Sequence, residues 1–264
     1  MKIDSNYHTH LALCRHAEGT AEDYIKAAIK LNYQEIGISD HGPLNDNLER
    51  ILITRRMNKD QYHQIYLKEL KIMKKKYQNI IKVLSGLEIE YFDEMKNDYL
   101  QMLNEVDYLI LGQHYIKLPN DKYLGLYDQM SPERIKIYAK EVVKALNTGY
   151  FRILAHPELY MYNYRNWDQN AKDVAEMIID AAIKNNVLLE VNANGIRKMK
   201  SFTNKDGTLV YLYPRLEFWL LVKEKGAKVI VNDDCHCLSH LGDYATKIAF
   251  EFAQTLKLDI VDRL

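Results

Sequence analysis

The histidines of this 264-residue chain are placed where metal chemistry would need them. Seven of the nine stand at the end of a predicted β-strand or just beyond it. In a parallel α/β barrel those positions form the face on which active sites are built, and chance would place about one histidine there. The seven are His8, His10, His16, His41, His114, His156 and His236.

The local spacing of these residues also predicts convergence. Side chains two residues apart in a strand point to the same side, so the outer residues of His8-Thr9-His10 and of Asp234-Cys235-His236 are each expected to share a side. The same alternation turns Cys235 and Cys237 away, and we interpret both as packing residues. Cys14 is close in sequence to one of the seven histidines, and its position relative to the site stays open.

The types of these side chains indicate which metals they would bind. Imidazole and carboxylate ligands without a thiolate favour Zn, Mn or Fe over Ca. One tetrahedral site takes three or four protein ligands, so seven histidines imply two or three divalent ions. Closely packed cations need a bridging anion, and Glu88, near the end of the third predicted strand, is our candidate. We expect Gly86 to leave open space beside it, and Glu90 on the same side of the strand is a rival.

Strands and helices are predicted to alternate along the whole chain. Segments of helical period separate seven short apolar segments, and the helix-start signals Thr20 with Asp23 and Ser131-Pro132 agree with this interpretation. Such alternation predicts a parallel sheet with right-handed crossovers. Because no G-x-G-x-x-G or P-loop follows the first strand, we prefer a closed or nearly closed barrel, in one domain over residues 1–264, to a doubly wound open sheet. The predicted strands are 5–10, 35–40, 80–89, 108–113, 152–156, 187–192 and 228–233.

Composition excludes several classes of protein. With 47% hydrophobic and 27% charged residues, the chain is typical of a globular protein with a buried core and not of a disordered one. The 36 basic residues equal the 36 acidic ones, which argues against nucleic acid as a partner bound through bulk charge. The longest apolar run has five residues, so no membrane partner is expected. Three cysteines and no signal-peptide pattern predict a cytoplasmic protein, and the oligomeric state stays open.

Taken together, these motifs resemble the PHP (polymerase and histidinol phosphatase) family. The matches occur in the family's order over essentially the whole chain, which is far more specific than a lone H-x-H. The resemblance implies a distorted (β/α)7 barrel with a trinuclear metal centre at the C-terminal ends of its strands. The matching stretches are His8-Thr9-His10, Cys14-Arg15-His16-Ala17, Ser39-Asp40-His41, Gly86-Leu87-Glu88, His114, Ala155-His156-Pro157 and Asp234-Cys235-His236.

The resemblance also implies how the ligands divide among three ions, which spacing alone does not determine. Each ion takes ligands from more than one strand, and Glu88 bridges two ions. The implied sets are His8, His10, Glu88 and Asp234 for the first ion, Glu88, His114 and His156 for the second, and His16, His41 and His236 for the third.

Within the family, the chain looks most like stand-alone histidinol-phosphate phosphatases, through residues 39–44, 190–197 and 213–215. This implies hydrolysis of L-histidinol phosphate to L-histidinol and phosphate, a step of histidine biosynthesis. Two stretches depart from the family pattern. Asn232-Asp233-Asp234-Cys235-His236 replaces Gly-Ser-Asp-Ala-His, and Leu111-Gly112-Gln113-His114 replaces Gly-Ser-x-His. Both changes leave the metal ligands in place. The departures therefore affect the assignment of the substrate and not that of the metal centre.

A centre of this kind activates water and neutralises phosphate oxygens, so the predicted reaction is hydrolysis of a small-molecule phosphate monoester. Glu88 and Asp234 would take part in catalysis as metal ligands. Asp40 is expected either to protonate the leaving alkoxide or to orient an imidazole. A metal-bound water and His240 are the other possible proton donors.

Arg197, after the sixth predicted strand, is expected to hold the substrate phosphate through two parallel hydrogen bonds. In this interpretation Gly195 allows a sharp turn that aims the side chain inward, and Arg165 is a second candidate. Three other functions stay open: a PHP phosphoesterase for another monoester or a nucleotide, a nuclease, and a non-catalytic metal-binding module. The lack of a basic tract counts against the nuclease, and the presence of all nine ligands counts against the module.

Overall fold

The computed structural model describes residues 3–52, 54–198, 202–203, 209–211 and 213–264. Its strands in chain order are β1 Ser5–Asn6, β2 Glu35–Ile38, β3 Lys82–Ile89, β4 Tyr108–Leu111, β5 Tyr115–Lys117, β6 Tyr123–Gly125, β7 Ile153–Leu154, β8 Leu188–Asn192, β9 Phe202–Thr203, β10 Leu209–Val210, β11 Lys228–Asn232 and β12 Asp259–Ile260. Its helices are α1 Ala21–Lys30, α2 Asp46–Ile51, α3 Lys59–Gln61, α4 Leu67–Tyr77, α5 Lys96–Glu105, α6 Pro132–Leu146, α7 Gln169–Asn185, α8 Asn194–Arg197, α9 Leu216–Lys225 and α10 Tyr244–Thr255. A π-helical turn, Tyr62–Tyr66, joins α3 to α4.

Eight of the strands form one sheet in the order β1-β2-β3-β4-β7-β8-β11-β12, and every pairing between them is parallel. The sheet closes on itself beyond the ends of β1 and β11, where the His10 amide donates to the Cys235 carbonyl at 2.9 Å and the Cys235 amide donates to the His8 carbonyl at 3.2 Å. β5 with β6, and β9 with β10, form two antiparallel hairpins outside the sheet. The predicted α/β barrel is therefore confirmed, with the closing contact at the end where the histidines lie.

All seven predicted strands are present in the predicted order, each with shorter bounds. The eighth strand, β12, was not predicted, because two residues carry no readable period. It pairs with the start of β11 through Lys228 opposite Asp259 and Val229 opposite Ile260. On its other side, the Ser5 hydroxyl donates to the Asp262 carbonyl. β12 therefore lies between β1 and β11 at the end away from the histidines and distorts the barrel there.

The helices begin where the predicted signals stand. Thr20 and Asp23 form a capping box at the start of α1, and the Ser131 side chain caps α6 with proline at its first position. Gly226 ends α9 in the left-handed conformation. In the described part of the chain, no helix is both long enough and apolar enough to cross a membrane.

The barrel interior is apolar at one end and polar at the other. Side chains alternate along β8, so Leu188, Glu190 and Asn192 point inward while Leu189 and Val191 pack in the core beneath the helices. An apolar cluster of Tyr7, Tyr108, Ile110, Ile153, Ala155, Leu188 and Ile230 fills the N-terminal end. The inward positions nearer the C-terminal ends of the strands carry the acids, amides and imidazoles of the site.

Candidate metal centre

The nine predicted ligands come together at the C-terminal end of the barrel. Glu88 lies within β3, and the others follow β1, β2, β4, β7 and β11, apart from His16, which follows a short 3₁₀ turn. Their side chains form a continuous group in which each imidazole ring has another within 6.4 Å, measured between ring centroids. Residues more than 220 positions apart in sequence, such as His10 and His236, thus meet at one site.

The Glu88 carboxylate lies at the centre of this group with its two oxygens facing different histidines. Its Oε2 atom is 3.3 Å from His8 Nε2 and 3.4 Å from His10 Nε2. Its Oε1 atom is 3.3 Å from His156 Nε2 and 3.7 Å from His114 Nε2. A carboxylate in this position can bridge two cations, as the sequence predicted for Glu88.

The ligand atoms fall into groups that match the implied division only in part. Those of His8, His10 and Glu88 lie within 4.8 Å of one another, and so do those of Glu88, His114 and His156. Asp234 Oδ1 is 3.2 Å from His10 Nε2, which adds it to the first group. In the third group, the ligand atoms of His10, His41 and His236 lie within 4.8 Å of one another. The His16 ring lies beside these two, 5.1 and 4.9 Å from their respective ring centroids.

Several buried ligand atoms have no hydrogen-bond partner within the described residues. They are His8 Nε2, both ring nitrogens of His10, Glu88 Oε1 and His156 Nδ1. Burying a polar atom without a partner costs free energy, and native structures rarely leave one. Of these atoms, His8 Nε2, His10 Nε2 and Glu88 Oε1 lie around the one carboxylate, and cations bound there would satisfy them.

The charge states also suit cation binding. Burial raises the pKa of Glu88, but the surrounding imidazoles of His41, His8, His114 and His156 together outweigh this effect and hold the pKa well below its usual range. Burial and the neighbouring His10 lower the pKa of His236 to about 3, so this imidazole is neutral and able to act as a ligand. Burial lowers the pKa of His10, whereas Asp234 and Asp40 raise it to about 9. The carboxylates of the centre therefore favour additional positive charge.

Glu190, which the sequence analysis did not identify, supports the centre from below. It is fully buried in β8, and its Oε1 is 2.8 Å from His8 Nδ1, which leaves His8 Nε2 facing Glu88. Its other oxygen accepts from the His156 amide at 3.2 Å, and the Asn192 and Asn232 side chains donate to the carboxylate as well. Such contacts fix the orientation and tautomer of a ligand. The available signal was a glutamate at an inward position of a buried strand.

Glu90 and Arg56 support the centre from one side. Glu90 Oε1 is 3.1 Å from His114 Nδ1, and the Arg56 guanidinium binds both Glu90 oxygens at 3.0 and 2.9 Å. Burial raises the pKa of Glu90, but Arg56 and His114 together lower it more, so the carboxylate is charged. The structure therefore places Glu90, the rival of Glu88, behind a histidine, where it orients that ring.

Asp40 lies behind His10. It is fully buried, its Oδ1 is 3.4 Å from His10 Nδ1, and its oxygens accept from the amides of His41 and Cys14. It does not line the cavity described below. Of its two predicted roles, this placement supports orientation of an imidazole and not proton donation.

Two glycines of the site have tertiary contacts that sequence spacing could not show. A Cβ at Gly112 would lie 2.1 Å from Glu88 Oε1, so the carboxylate rests directly on this glycine. A Cβ at Gly86 would lie 2.3 Å from the Tyr108 ring, so this ring fills the space beside it. The space that the Glu88 carboxylate occupies is therefore provided by Gly112, the residue after β4. The sequence expectation that Gly86 provides this space is wrong.

A cavity of about 480 Å³ opens above the ligands. This volume is in the range of small-molecule sites. Beyond the predicted ligands and Glu90, the cavity is lined by Thr54, Arg55, Arg56, Tyr115, Tyr127, Asn194, Lys198 and Tyr213. The sequence analysis missed its three cations, Arg55, Arg56 and Lys198. The signal for the first two was the long segment that follows β2, where barrel active-site loops are expected.

Neither arginine predicted to bind phosphate reaches this cavity. The Arg197 guanidinium binds both oxygens of Asp243 at 2.8 Å and donates to the carbonyls of Asp233 and His240. It therefore links α8 to the start of α10, a tertiary contact that its neighbours in sequence do not reveal. Arg165 lies exposed on the segment before α7 and does not line the cavity either. Gly195 does not turn the chain sharply, but allows the Tyr213 backbone to approach.

Of the two cysteines predicted to be packing residues, Cys235 packs in the core and Cys237 is only half-buried. Cys235 is fully buried in the core between sheet and helices, on the side of the strand away from Glu88. Cys237 contacts the Ser239 hydroxyl at 3.2 Å. Cys14 lies near His10 and Asp40, and burial and the Asp40 charge raise the pKa of its thiol, which disfavours the thiolate form.

We predict that Cys235→Ala keeps the metal content and most of the activity of the protein, because this side chain faces the core. Asp234→Asn and His236→Ala, which change its two neighbours on the ligand side, should lose both. Metal content per chain, measured on the three purified variants, checks this. If Cys235→Ala lost its metal, the strand register at this end of β11 would be wrong.

Comparison with known proteins agrees with this geometry. The model of the PHP domain family matches residues 6–194. A probable histidinol-phosphatase of Schizosaccharomyces pombe is 25% identical over 89% of this chain and 81% of its own length. The histidinol-phosphatase of Bacillus subtilis is 23% identical over 89% of this chain and 94% of its own length.

A solved structure shares the barrel fold. The histidinol phosphate phosphatase of Lactococcus lactis, crystallised with Zn, L-histidinol and phosphate, superposes with a TM-score of 0.71 at 15% identity. The match covers 98% of this chain and 95% of that one. Since the family model matches well over half of the residues, this chain belongs to the PHP domain family.

Proposed function

We propose that this protein is a metal-dependent phosphate monoesterase. The observation that carries the proposal is the Glu88 carboxylate, whose two oxygens face two different groups of imidazoles at the base of a cavity. A centre of this shape suits two to three divalent transition-metal ions, Zn, Mn or Fe. Such ions, when bound, supply Lewis acidity toward phosphate oxygens and water.

The chain's own residues would hold and surround these ions. His8, His10, Glu88 and Asp234 would form one set of ligands, and Glu88, His114 and His156 a second. His41, His236 and His16 would form the third, with His10 close enough to be shared. Glu190, Glu90 and Asp40 would keep the imidazoles in the ligating orientation.

We propose L-histidinol phosphate as the first substrate to test, in a histidinol-phosphatase reaction of histidine biosynthesis. The names of the relatives support it, and the cavity wall offers three tyrosine rings, Tyr115, Tyr127 and Tyr213, against which an imidazole can pack. The remaining possibilities are another small phosphate monoester or a nucleotide as substrate, and a metal-binding protein without catalysis.

One experiment separates these functions. Protein purified without chelator, from cells supplied with metal, should contain more than one Zn, Mn or Fe per chain by elemental analysis. The same sample is then screened for release of phosphate from L-histidinol phosphate, other monoesters and nucleotides. His156→Ala should lose metal and activity, whereas His63→Ala is the matched control, because His63 lies on the π-helical turn and does not line the cavity.

The outcomes are distinct. A reproducible metal content at or below one ion per chain contradicts the multinuclear centre. Full metal content without hydrolysis of any monoester favours the non-catalytic module. Hydrolysis of a different monoester in preference to L-histidinol phosphate keeps the phosphatase and replaces its substrate.

A further inference from the structure

Among the described residues, one lysine lines the cavity, and the proposed reaction has not yet used it. Of the three cations that line the cavity in this part of the chain, Arg56 is paired with Glu90, and Arg55 lies on an exposed part of the rim. Lys198 is half-buried, and none of the described carboxylates forms a salt bridge with its ammonium group. A cation on the wall of a cavity that has no acidic partner among the described residues is a candidate to bind an anion.

Lys198 is held in place by two tyrosines. Its Nζ donates to the Tyr213 hydroxyl at 3.1 Å and lies 5.6 Å from the Tyr213 ring centroid and 5.5 Å from that of Tyr127. These contacts use one N–H of the ammonium group and stabilise its charge through cation–π attraction. The other two N–H groups have no hydrogen-bond partner in the part of the chain that the structure describes, and they can donate to a ligand.

Tyr213 connects this lysine to the metal centre. It is buried, and its ring centroid is 5.9 Å from that of His156. Its backbone packs so closely on α8 that a Cβ at Gly195 would lie 2.1 Å from the Tyr213 carbonyl oxygen. The packing of Tyr213 therefore fixes where the Lys198 ammonium group lies relative to the ligand set of Glu88, His114 and His156.

The geometry explains why Lys198 reaches the cavity and its neighbour does not. Successive residues of a helical turn point about 100° apart. Arg197, the last residue of α8, points to Asp243, and Lys198 after it points to the cavity.

From these observations we propose that Lys198, and not Arg197, binds the phosphate group of the substrate. This rests on the proposed phosphatase function. Lysine binds phosphate as a compact point charge, and a charge-assisted hydrogen bond to a dianion is among the stronger polar contacts. The proposal makes Lys198 a substrate-binding residue whose contact does not depend on the organic part of the ester.

The test compares Lys198→Met, which keeps the length and removes the charge, with Lys198→Arg, which keeps the charge. We expect Lys198→Met to lower kcat/KM by roughly 10- to 150-fold and to raise the inhibition constant of inorganic phosphate by a similar factor, with metal content unchanged. Lys198→Arg should recover part of both. The substrates are p-nitrophenyl phosphate, whose organic part is uncharged, and L-histidinol phosphate, whose organic part carries an amine and an imidazole.

Lys117→Met is the matched control, because Lys117 also lies over a tyrosine ring, that of Tyr123, but outside the cavity. It should behave as the wild type. An unchanged phosphate inhibition constant in Lys198→Met, or a loss of kcat/KM with L-histidinol phosphate that p-nitrophenyl phosphate does not show, would overturn the proposal.

A second measurement separates this proposal from the proposed function. If the wild type hydrolyses no ester, titration calorimetry with inorganic phosphate on the metal-loaded protein still tests Lys198. Binding by the wild type that is weakened in Lys198→Met supports the lysine even though the phosphatase function has failed. Equal binding by both, or binding by neither, refutes it.

Discussion

Replacing Glu88 with glutamine is expected to remove more than one metal ion per chain from the centre and to abolish hydrolysis. Glutamine has nearly the same shape but no charge, and it presents only one carbonyl oxygen where the carboxylate presents two, to His8 and His10 on one side and to His156 on the other. We expect kcat/KM to fall by at least about a thousandfold, because Lewis-acid stabilisation is worth several kcal/mol and about 1.36 kcal/mol corresponds to tenfold. Elemental analysis and phosphate-release assays on the same sample measure both effects.

Glu90→Gln is the comparison variant, for which we expect a smaller loss of metal and activity than for Glu88→Gln. Glu90 contacts the distal side of His114 and would not bind an ion itself. Loss of such a supporting contact typically costs roughly 10- to 100-fold in metal affinity or activity. A Glu88→Gln protein with full metal content, or one affected no more than Glu90→Gln, would contradict the bridging role.

Replacing Gly112 with alanine is expected to displace the same carboxylate, although no ligand residue is itself replaced. The added Cβ would lie 2.1 Å from Glu88 Oε1 and 2.6 Å from the two carbons next to it, so the side chain must move. A displacement of about 1 Å in a reacting geometry can cost on the order of 100-fold in rate. We therefore expect kcat/KM to fall by about that factor, together with a loss of bound metal, as measured by assay and elemental analysis.

Gly125→Ala is the matched control, because a Cβ there would meet Asp128 Oδ2 at 3.4 Å and Tyr115 Cε1 at 3.9 Å, which are ordinary contacts. The double variant Glu88→Gln with Gly112→Ala tests whether Gly112→Ala lowers activity through the Glu88 side chain. If Gly112 acts through Glu88, the second substitution should add little to the first. An additive loss, or a Gly112→Ala protein that retains wild-type metal content and rate, would show that the carboxylate does not depend on this glycine.

The ligands could be predicted from sequence because each depends on local structure. An apolar segment ends where a parallel strand ends, and in a barrel all such ends lie on one face. A histidine placed there, as at His41 or His156, needs no knowledge of its partners to be assigned to that face. Alternation within a strand then separates ligands from packing residues, as with Asp234 and Cys235.

The supporting residues depend on contacts between distant segments, which no local pattern contains. Glu190 meets His8 across 182 positions, and Gly112 receives the carboxylate of a residue on another strand. β12 escaped prediction for a related reason, since two residues show no period and form a strand only because β11 pairs with them.

The sequence by itself thus determined seven of the eight strands of the sheet, the face of the barrel and the identity of the nine candidate ligands, because strand period and chain order act over a few residues. Only the tertiary structure decided what surrounds them. Arg197 and Lys198 are adjacent and both cationic, so the sequence does not distinguish them as anion-binding residues. Their separation depends on Asp243, which engages one, and on Tyr213, which holds the other at the cavity, and both partners come from segments brought close only by folding.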